Sequence, residues 1–385
     1  MKYLTNSGNC PTAKKQKNPA IWMLSAVVVS GAFLFFGQPG AAQSPYTSEI
    51  SGLINPGAAA YNPATSKVYI VDPDAGSVTI SDDAANTTVH IKVGAGPVSI
   101  AADSTNGRAY VANADDGTVS VIDGKTDAVL ATLSIGAHPY SIAADSAAGN
   151  IYVSRTYSDE LTVIDAATNA ISTIKAGSPD LIAVNTRTHT AYLLGYESGD
   201  LTVLDGVTHS IVKSSVGMHA WGMALNPTTG TLYIARIGDA QLAVVQPGSA
   251  SPLRVSTGNI PCSIAINPLT NTVYVANYAG NSVTAIDGAT NHEIATIPVG
   301  NRPEAVAVDT VRNLIFTANT LGRSVSVIDG RTHKVVATLD AGTAPYALAV
   351  NSASGKLHVA NLDRVSTTIL DVRKYGSSGQ NVARK

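Results

Sequence analysis

Short runs of alternating apolar and polar residues, separated by clusters of Gly, Asn, Asp and Thr, follow one another from residue 56 to residue 372. Residues 97–138 show the unit, whose four runs are residues 98–102, 109–113, 118–123 and 128–135. Alternation with a period of two residues is typical of β-strands, and the polar clusters between the runs predict turns. Each unit is therefore predicted to form a small four-stranded antiparallel sheet. No window after the N-terminal segment shows the 3.6-residue period of a helix.

The second strand of this unit recurs eight times, at steps of 40 to 42 residues. Its central aromatic position is occupied by Tyr69, Tyr110, Tyr152, Tyr192, Tyr233, Tyr274, Phe316 and His358. So regular a period predicts a repeat architecture. One such sheet cannot bury both of its faces alone, so the units are expected to pack radially, as the blades of a β-propeller.

The number of strands predicts eight blades. The second and third strands are each found eight times, but the last unit has no fourth strand after its third. An additional extended segment, residues 48–54, precedes the first unit and could supply that strand. We therefore predict an all-β, eight-bladed propeller whose last blade is completed by the N-terminal strand, which would remove the open sheet edges. Seven blades is the alternative.

The segments Tyr110-Val111-Ala112-Asn113 and Tyr274-Val275-Ala276-Asn277, with the following Val121-Ile122-Asp123-Gly124, resemble the YVTN family of β-propeller repeat proteins. The resemblance covers nearly all of residues 46–372. It implies a propeller, most often with seven blades, and an exported bacterial or archaeal protein of the periplasm or the cell surface. Similar propellers include binding modules, lactonase-like enzymes and cofactor-dependent dehydrogenase subunits, so the resemblance implies no single activity.

The two ends of the chain differ from the repeats. Lys14, Lys15 and Lys17 precede an apolar run at residues 21–36 and a stretch of small residues, which is the order of a secretory signal peptide. We predict a signal peptide at residues 1–42, a propeller domain at 43–372 and a disordered tail at 373–385. An uncleaved membrane anchor is the alternative, although the apolar run is shorter than the roughly 20 residues of a spanning helix. The expected location is periplasmic, secreted or at the cell surface.

Charge and cysteine content narrow the possible partners. Removal of residues 1–42 takes away four lysines and no acids, so the net charge changes from −2 to −6. This disfavours a broad surface for nucleic acid or anionic lipid. Only Cys262 would remain, so no intramolecular disulfide is possible, and we expect this side chain to be a small buried hydrophobe. A monomer without a transmembrane segment is expected after cleavage.

The turns between first and second strands, and between third and fourth strands, are nearly identical from unit to unit. In a meander these two sets of turns lie on the same face. Their repeated Asp and Asn residues are expected to bond to their own backbone and to serve a structural purpose. His209, His292 and His333 belong to this face and are expected to be solvated.

On the opposite face the units diverge, both in the turns between second and third strands and in the connections between blades. The position that is Asn in four units is occupied by arginine in two. Guanidinium groups suit carboxylate or phosphate, and aromatic rings give flat apolar contact. We predict a binding surface here for a protein or a small anionic or aromatic ligand, and the alternative is ordinary variation of loops. The candidate residues are His138, Tyr140, Arg155, Tyr157, Asp180, Tyr196, His219, Trp221, Arg236, Arg302 and Glu304.

Three functions remain open at this stage, and a non-catalytic binding module is the leading one. The chain has no G-x-S-x-G or H-E-x-x-H motif and no paired cysteines, so it lacks common nucleophile and zinc motifs. A lactonase- or lyase-like enzyme is the second, because Asp180, Glu197 and Glu304 could converge from different blades. Those carboxylates also leave a divalent cation open, although no cofactor is predicted. Polyanion or nucleic-acid binding is the third and needs the arginines to form one stripe.

Overall fold

Eight four-stranded antiparallel sheets, here called blades 1 to 8 in chain order, form an eight-bladed β-propeller. This computed structural model describes residues 49–51, 58–249, 251–362 and 366–376. Within each blade the strands follow one another as a meander, with the first strand at one edge of the sheet and the fourth at the other. The prediction of eight blades is confirmed, and the alternative of seven is wrong.

The first strand of the chain is β1 (Glu49–Ser51). Blade 1 contains β2 (Ala59–Asn62), β3 (Lys67–Asp72), β4 (Ser77–Asp82) and β5 (Thr87–Lys92). Blade 2 contains β6 (Pro97–Ala102), β7 (Arg108–Asn113), β8 (Thr118–Asp123) and β9 (Ala128–Ser134). Blade 3 contains β10 (Pro139–Asp145), β11 (Asn150–Arg155), β12 (Glu160–Asp165) and β13 (Ile171–Lys175). Blade 4 contains β14 (Leu181–Asn185), β15 (Thr190–Leu194), β16 (Asp200–Asp205) and β17 (Ile211–Ser215).

The second half repeats the arrangement. Blade 5 contains β18 (Ala220–Leu225), β19 (Leu232–Arg236), β20 (Gln241–Val245) and β21 (Leu253–Ser256). Blade 6 contains β22 (Pro261–Asn267), β23 (Thr272–Asn277), β24 (Ser282–Asp287) and β25 (Glu293–Pro298). Blade 7 contains β26 (Pro303–Asp309), β27 (Leu314–Asn319), β28 (Ser324–Asp329) and β29 (Lys334–Asp340). Blade 8 contains β30 (Pro345–Asn351), β31 (Lys356–Asn361) and β32 (Ser366–Asp371), together with β1.

The N-terminal strand completes the last blade, as the sequence predicts. Blade 8 has the order β1-β32-β31-β30, and β1 is antiparallel to β32, with Glu49 opposite Thr368 and Ser51 opposite Ser366. Blade 8 therefore joins both ends of the propeller in one sheet. A strand that would otherwise expose an unpaired edge is covered.

The core lies between neighbouring blades. The repeated aromatic residue of the second strand supplies the largest fully buried side chains, which include Tyr110, Tyr152, Tyr274 and Phe316. Most core clusters join side chains of two adjacent blades, and Tyr110 of blade 2 shares its cluster with Ile142 of blade 3. Because each blade buries its apolar face only against the next one, the ring is the unit that is stable, rather than the single blade.

The repeated aspartate at the end of the third strand shapes the turn that follows. The Oδ1 atoms of Asp165, Asp205 and Asp287 each accept backbone N–H groups from the residues two and three positions later, at 2.7–3.0 Å. These hydrogen bonds lower the pKa of all three carboxyl groups. The prediction that these aspartates serve turn geometry is confirmed.

The three histidines of the same turns, His209, His292 and His333, differ in their exposure to solvent. His209 (φ 58°) and His333 (φ 53°) both occupy a left-handed position. His209 and His292 are exposed, as expected. His333 is only partly exposed, because its ring lies 6.2 Å from the ring of Tyr274 in the preceding blade. Burial lowers the pKa of His333, against the opposing charge of Asp329. The expectation of a solvated side chain is therefore wrong for this histidine.

The two terminal predictions lie largely outside the described residues. The predicted signal peptide, residues 1–42, is outside them, and so are residues 377–385 of the predicted disordered tail. The first residues of that tail, Arg373–Tyr375, form a 3-10 helix, and Tyr375 contacts the core of blades 7 and 8. No helix in the part of the chain described by the structure has the length and apolar character needed to cross a membrane.

Candidate functional site

The face that diverges between units is held together by a repeated backbone hydrogen bond. We call it the divergent face; it carries the turns between second and third strands and the connections between blades. In six blades, the first residue after the second strand donates its N–H to the carbonyl of the residue before the first strand. The accepting residues are Gly96, His138, His219, Ile260, Arg302 and Ala344, with N–O distances of 2.8–3.2 Å. This link fixes each connection against the turn of its own blade.

These accepting residues all adopt a left-handed backbone conformation, with φ between 51° and 60°. Blade 2 has glycine at this position, the residue that adopts such a conformation at no steric cost. His138, His219 and Arg302 adopt it with a Cβ, which costs roughly 1–2 kcal/mol. The three candidates therefore occupy a position whose backbone is set by the propeller, and only their side chains are available for recognition.

Replacement of His138 by glycine is expected to stabilise the protein. His138 is exposed, and its backbone is left-handed. Relief of the left-handed strain outweighs the greater freedom of glycine in the unfolded chain, so we expect a gain of about 0.5–1 kcal/mol. Urea unfolding measures it, with Gly96→Ala in blade 2 as the reverse change, which is expected to destabilise. A loss of stability on His138→Gly would contradict this account.

The residue two positions after this accepting residue lies in a β-bulge in most blades. The pairing of first and second strands shifts between Ala220 and Gly222 in blade 5, at Trp221, and likewise at Cys262 in blade 6 and Glu304 in blade 7. A bulge inserts one residue and re-aims its side chain. The same irregularity explains why the residues after the blade-opening position differ so much between units. They lie outside the regular ladder.

Four of the predicted residues meet in one small cleft on the divergent face. The cleft is lined by Tyr140 of blade 3, Asp180, Leu181 and Tyr196 of blade 4, and Trp221 of blade 5, and it is too narrow to hold a water molecule as it stands. Asp180 Oδ2 accepts the N–H of Tyr196 at 2.7 Å. The ring of Tyr196 meets that of Trp221 edge to face, with centroids 5.4 Å apart. Three aromatic rings therefore surround one carboxylate.

His219 lies beside this cleft rather than in its lining. Its ring is 6.4 Å from that of Tyr196, at an angle of 61°. The backbone carbonyl of Tyr196 also accepts the N–H of Ala220 at 3.1 Å. The turn of blade 4 is thereby tied to the connection that leads into blade 5, and this contact positions Tyr196 over Trp221.

The polar groups of the cleft are only partly satisfied by the protein. Burial raises the pKa of Asp180, and the charge of Glu197 raises it further, while the N–H of Tyr196 opposes both. Tyr140 is 5% exposed, and its hydroxyl has no hydrogen-bond partner. Burial, with the nearby Asp180, raises the pKa of Tyr140 as well, so this hydroxyl stays protonated. The cleft is electronegative and holds an unsatisfied buried hydroxyl.

The two arginines that motivated the binding hypothesis contact carboxylates of their own blades. Arg155 pairs with Glu160 at 2.9 Å, and its side chain is 16% exposed. Arg236 pairs with Asp239, and its side chain is 15% exposed. Neither arginine lines the cleft. Two separate, paired guanidinium groups do not make the contiguous stripe that polyanion binding requires.

The repeats explain why arginine can stand where other units have asparagine. In blade 6, Nδ2 of Asn277 donates to Ser282 and Thr284 at 3.0 and 2.9 Å. In blade 3 the arginine and Glu160 occupy the positions of Asn277 and Ser282. One internal polar pair has been exchanged for another. Arg155 and Arg236 are each accounted for by an ion pair within their own blade.

A second group of candidates lies in blades 6 and 7. Arg302 donates to the hydroxyl of Tyr278 at 3.0 Å, and its guanidinium lies 5.1 Å from the centre of that ring. Burial raises the pKa of Glu304 to about 7, although the nearby Arg302 opposes this. Cys262 is buried, as expected, with its Sγ 3.4 Å from the carbonyl oxygen of Pro303. Glu304 and Arg302 are not part of the cleft lining.

The remaining candidates stand apart. Tyr157 is 90% exposed, and His138 is exposed on its connection. Leu181, which follows Asp180 directly in the chain and also lines the cleft, was not among the predicted site residues. Across the described ranges, no group of three or more His, Cys, Asp or Glu side chains is arranged to hold a metal ion.

The chain matches no protein-family model and no curated protein. Among solved structures it is similar to hydrazine synthase of Kuenenia stuttgartiensis, with 17% identity and a TM-score of 0.60 over 75% of this chain and 99% of that chain. It is also similar to the dihydro-heme d1 dehydrogenase NirN, solved in complex with DHE, with 14% identity and a TM-score of 0.68 over 82% of this chain and 72% of that one. At such identities the likeness shows a shared propeller fold.

Proposed function

We propose that this protein is an exported, non-catalytic binding module, and that its cleft on the divergent face holds a small ligand or one side chain of a partner. The observation that carries the proposal is the convergence of Tyr140, Tyr196 and Trp221 around Asp180. These four residues come from three consecutive blades. Unlike the nearly identical turns of the opposite face, these positions carry different residue types from unit to unit.

The chemistry of the cleft supports a binding function. Aromatic side chains with a polar group offer large contact areas for recognition. One structurally similar propeller, NirN, was solved with a bound ligand. We include membership of the YVTN family in the proposal, because of the repeated Tyr-Val-Ala-Asn segments. We include export because the N-terminal sequence has the order of a signal peptide. Mass spectrometry of the chain recovered from the periplasm tests export, and a mature N-terminus at Gln43 is expected.

An enzyme has one observation in its favour, the buried Glu304. A carboxyl group with a pKa of about 7 suits general acid–base catalysis. However, Glu304 does not line the cleft, where Asp180 is the only carboxylate. A reaction at the cleft would have to proceed without it, so binding is the function that we propose.

A ligand screen with cleft variants tests the proposed function. Purified protein is screened by thermal shift against metabolites, sugars, amines and organic acids, and each hit is measured by calorimetry. We expect Trp221→Ala to weaken binding of a true ligand by about tenfold or more, because it removes one wall of the cleft.

Tyr157→Ala is the matched control, because this exposed tyrosine lies outside the cleft lining and is expected to leave the affinity unchanged. Mass spectrometry of each ligand after incubation with the protein shows whether it was converted. Conversion that depends on Glu304 or Asp180 would overturn the non-catalytic proposal. If the hits bind equally well to Trp221→Ala, the cleft is not their binding site.

A further inference from the structure

We infer that the ligand of the cleft is an organic cation, an alkylammonium group whose charge lies beside Asp180 and whose apolar surface contacts Tyr196 and Trp221. This inference rests on the proposed function and names its ligand class. It departs from the anionic ligand expected from the arginines of the sequence. Those arginines already have carboxylate partners, Glu160 and Asp239.

The first argument is charge. Asp180 is partly buried, and the groups that act on its carboxylate are Glu197 and the N–H of Tyr196; no cationic side chain of the described residues is among them. A carboxylate that is removed from water without a counter-ion is costly and is stabilised by a positive charge. The cleft therefore favours a cation and repels an anion.

The second argument is the arrangement of the aromatic rings. Tyr140, Tyr196 and Trp221 line the same cleft. A cation near the face of such a ring gains roughly 0.5–2 kcal/mol from the electrons of the ring. Several rings with one carboxylate match both parts of an alkylammonium ion, its charge and its apolar substituents.

The third argument is the hydroxyl of Tyr140. It is buried and has no hydrogen-bond partner in the protein. Buried polar groups rarely stay unsatisfied, so such a group points to a missing partner. A hydroxyl oxygen accepts an N–H group, which a protonated amine supplies and a quaternary ammonium ion does not. A primary or secondary alkylammonium ion therefore satisfies Asp180 and Tyr140 together.

The cleft is narrow before a ligand binds, because the rings of Tyr196 and Trp221 are in contact. Tyr196 belongs to a turn rather than to a strand. We expect its ring to swing away as the cation enters. The indole of Trp221 would then exchange one neighbour for another, and its fluorescence should report binding directly.

The test uses two probes of the same shape, tert-butylammonium chloride and neutral tert-butanol, at constant ionic strength. The chain has two tryptophans, Trp22 and Trp221, so full-length protein carrying Trp22→Phe reports the cleft alone. We expect tert-butylammonium to bind at least about tenfold more tightly than tert-butanol. Asp180→Asn keeps an oxygen for the N–H of Tyr196 and should remove this preference.

Two further variants complete the design. Tyr140→Phe should weaken the ammonium probe while it leaves tert-butanol less affected, if the hydroxyl accepts its N–H. Asp74→Asn, an exposed carboxylate on a turn of the same face, is the matched control and should change neither affinity. Loss of the preference in Asp180→Asn but not in Asp74→Asn supports the inference.

Two results would overturn it. If tert-butanol binds as tightly as tert-butylammonium, or Asp180→Asn keeps the preference, the ligand is not chosen by its charge, yet the cleft remains a binding site. If neither probe changes the fluorescence of Trp221, the cation assignment fails. The proposed function is then judged separately, by its own ligand screen and by Trp221→Ala.

Discussion

Asp83→Ala is expected to lower the free energy of unfolding by about 3–5 kcal/mol, the largest loss that we expect from any single substitution in this protein. Asp83 belongs to blade 1, and its side chain is 2% exposed. Its carboxylate accepts hydrogen bonds from His358, Asn351 and Ser354 of blade 8, at 3.1, 2.7 and 2.9 Å. Lys356 adds an ion pair at 3.5 Å. One carboxylate therefore joins the last blade to the first.

The repeats show that this contact is particular to the closure of the ring. Elsewhere the residue at the position of His358 is aromatic, and in blades 1, 3 and 5 the hydroxyl of that tyrosine meets a glycine in the next blade. The pairs are Tyr69 with Gly124, Tyr152 with Gly206 and Tyr233 with Gly288. Where blade 8 meets blade 1, both members are exchanged, and His358 meets Asp83. We infer that this pair distinguishes the closing interface from the others.

Urea unfolding of three variants separates the roles of the pair. Asp83→Ala leaves His358, Asn351 and Ser354 without their acceptor, so it should be worse than His358→Ala. The double variant Asp83→Gly with His358→Tyr restores the residues of the other blades and should recover at least half of the loss. His209→Ala, an exposed histidine on a turn, is the control and should lie within about 0.5 kcal/mol of the parent. A loss below about 1 kcal/mol for Asp83→Ala would refute the argument.

The same pair sets the acid stability. Burial alone would raise the pKa of Asp83, but the hydrogen bond and charge of His358, with Ser354 and Lys356, lower it from 3.8 to about 2. A carboxylate with a lowered folded-state pKa stabilises the protein above its unfolded value and loses this contribution as the pH falls through the folded value. About 2 kcal/mol should therefore be lost between about pH 4 and pH 2, and Asp83→Asn should lack this part of the decline.

The architecture could be predicted from the sequence because the spacing of the repeated residues gives the length and the number of the units directly. Tyr69 to His358 mark eight second strands, and the additional strand before the first unit indicated how the ring closes. The exchange at Asp83 was also visible in the sequence, since most other units have glycine there and a tyrosine in place of His358. Comparison of the units two at a time, across each interface, would have found it.

The site could be predicted only in part, because divergence between units has more than one cause. Tyr140, Asp180, Tyr196 and Trp221 were among the candidates, and the structure brings them together. Arg155 was a candidate for the same reason, yet it pairs with Glu160 inside its blade. A sequence shows that a residue departs from the repeat, but the partner that compensates for the change is recognised only when the two lie side by side.

The second large effect on the free energy of unfolding is expected at Asn277, the asparagine that ends the second strand of blade 6. Asn277 is fully buried; Oδ1 accepts the N–H of Gly258 at 3.1 Å, and Nδ2 donates to Ser282 and Thr284. Asn277→Ala leaves these groups without partners and should cost about 3 kcal/mol. Leu269→Ala, at a residue 63% exposed on the opposite face of the same blade, is the control and should cost little. Urea unfolding measures both.

A glycine 19 residues before this asparagine explains the geometry and sharpens the test. A Cβ at Gly258 would lie 2.6 Å from Asn277 Cγ, so Gly258→Ala should also destabilise. In blade 4 the larger residue is at the other position: Ala176 corresponds to Gly258, and Gly195 corresponds to Asn277. Gly258→Ala combined with Asn277→Gly copies that arrangement, so the alanine should be tolerated far better in the double variant than beside the native asparagine. Losses that simply add, with a coupling energy below about 0.5 kcal/mol, would contradict direct packing of the two residues.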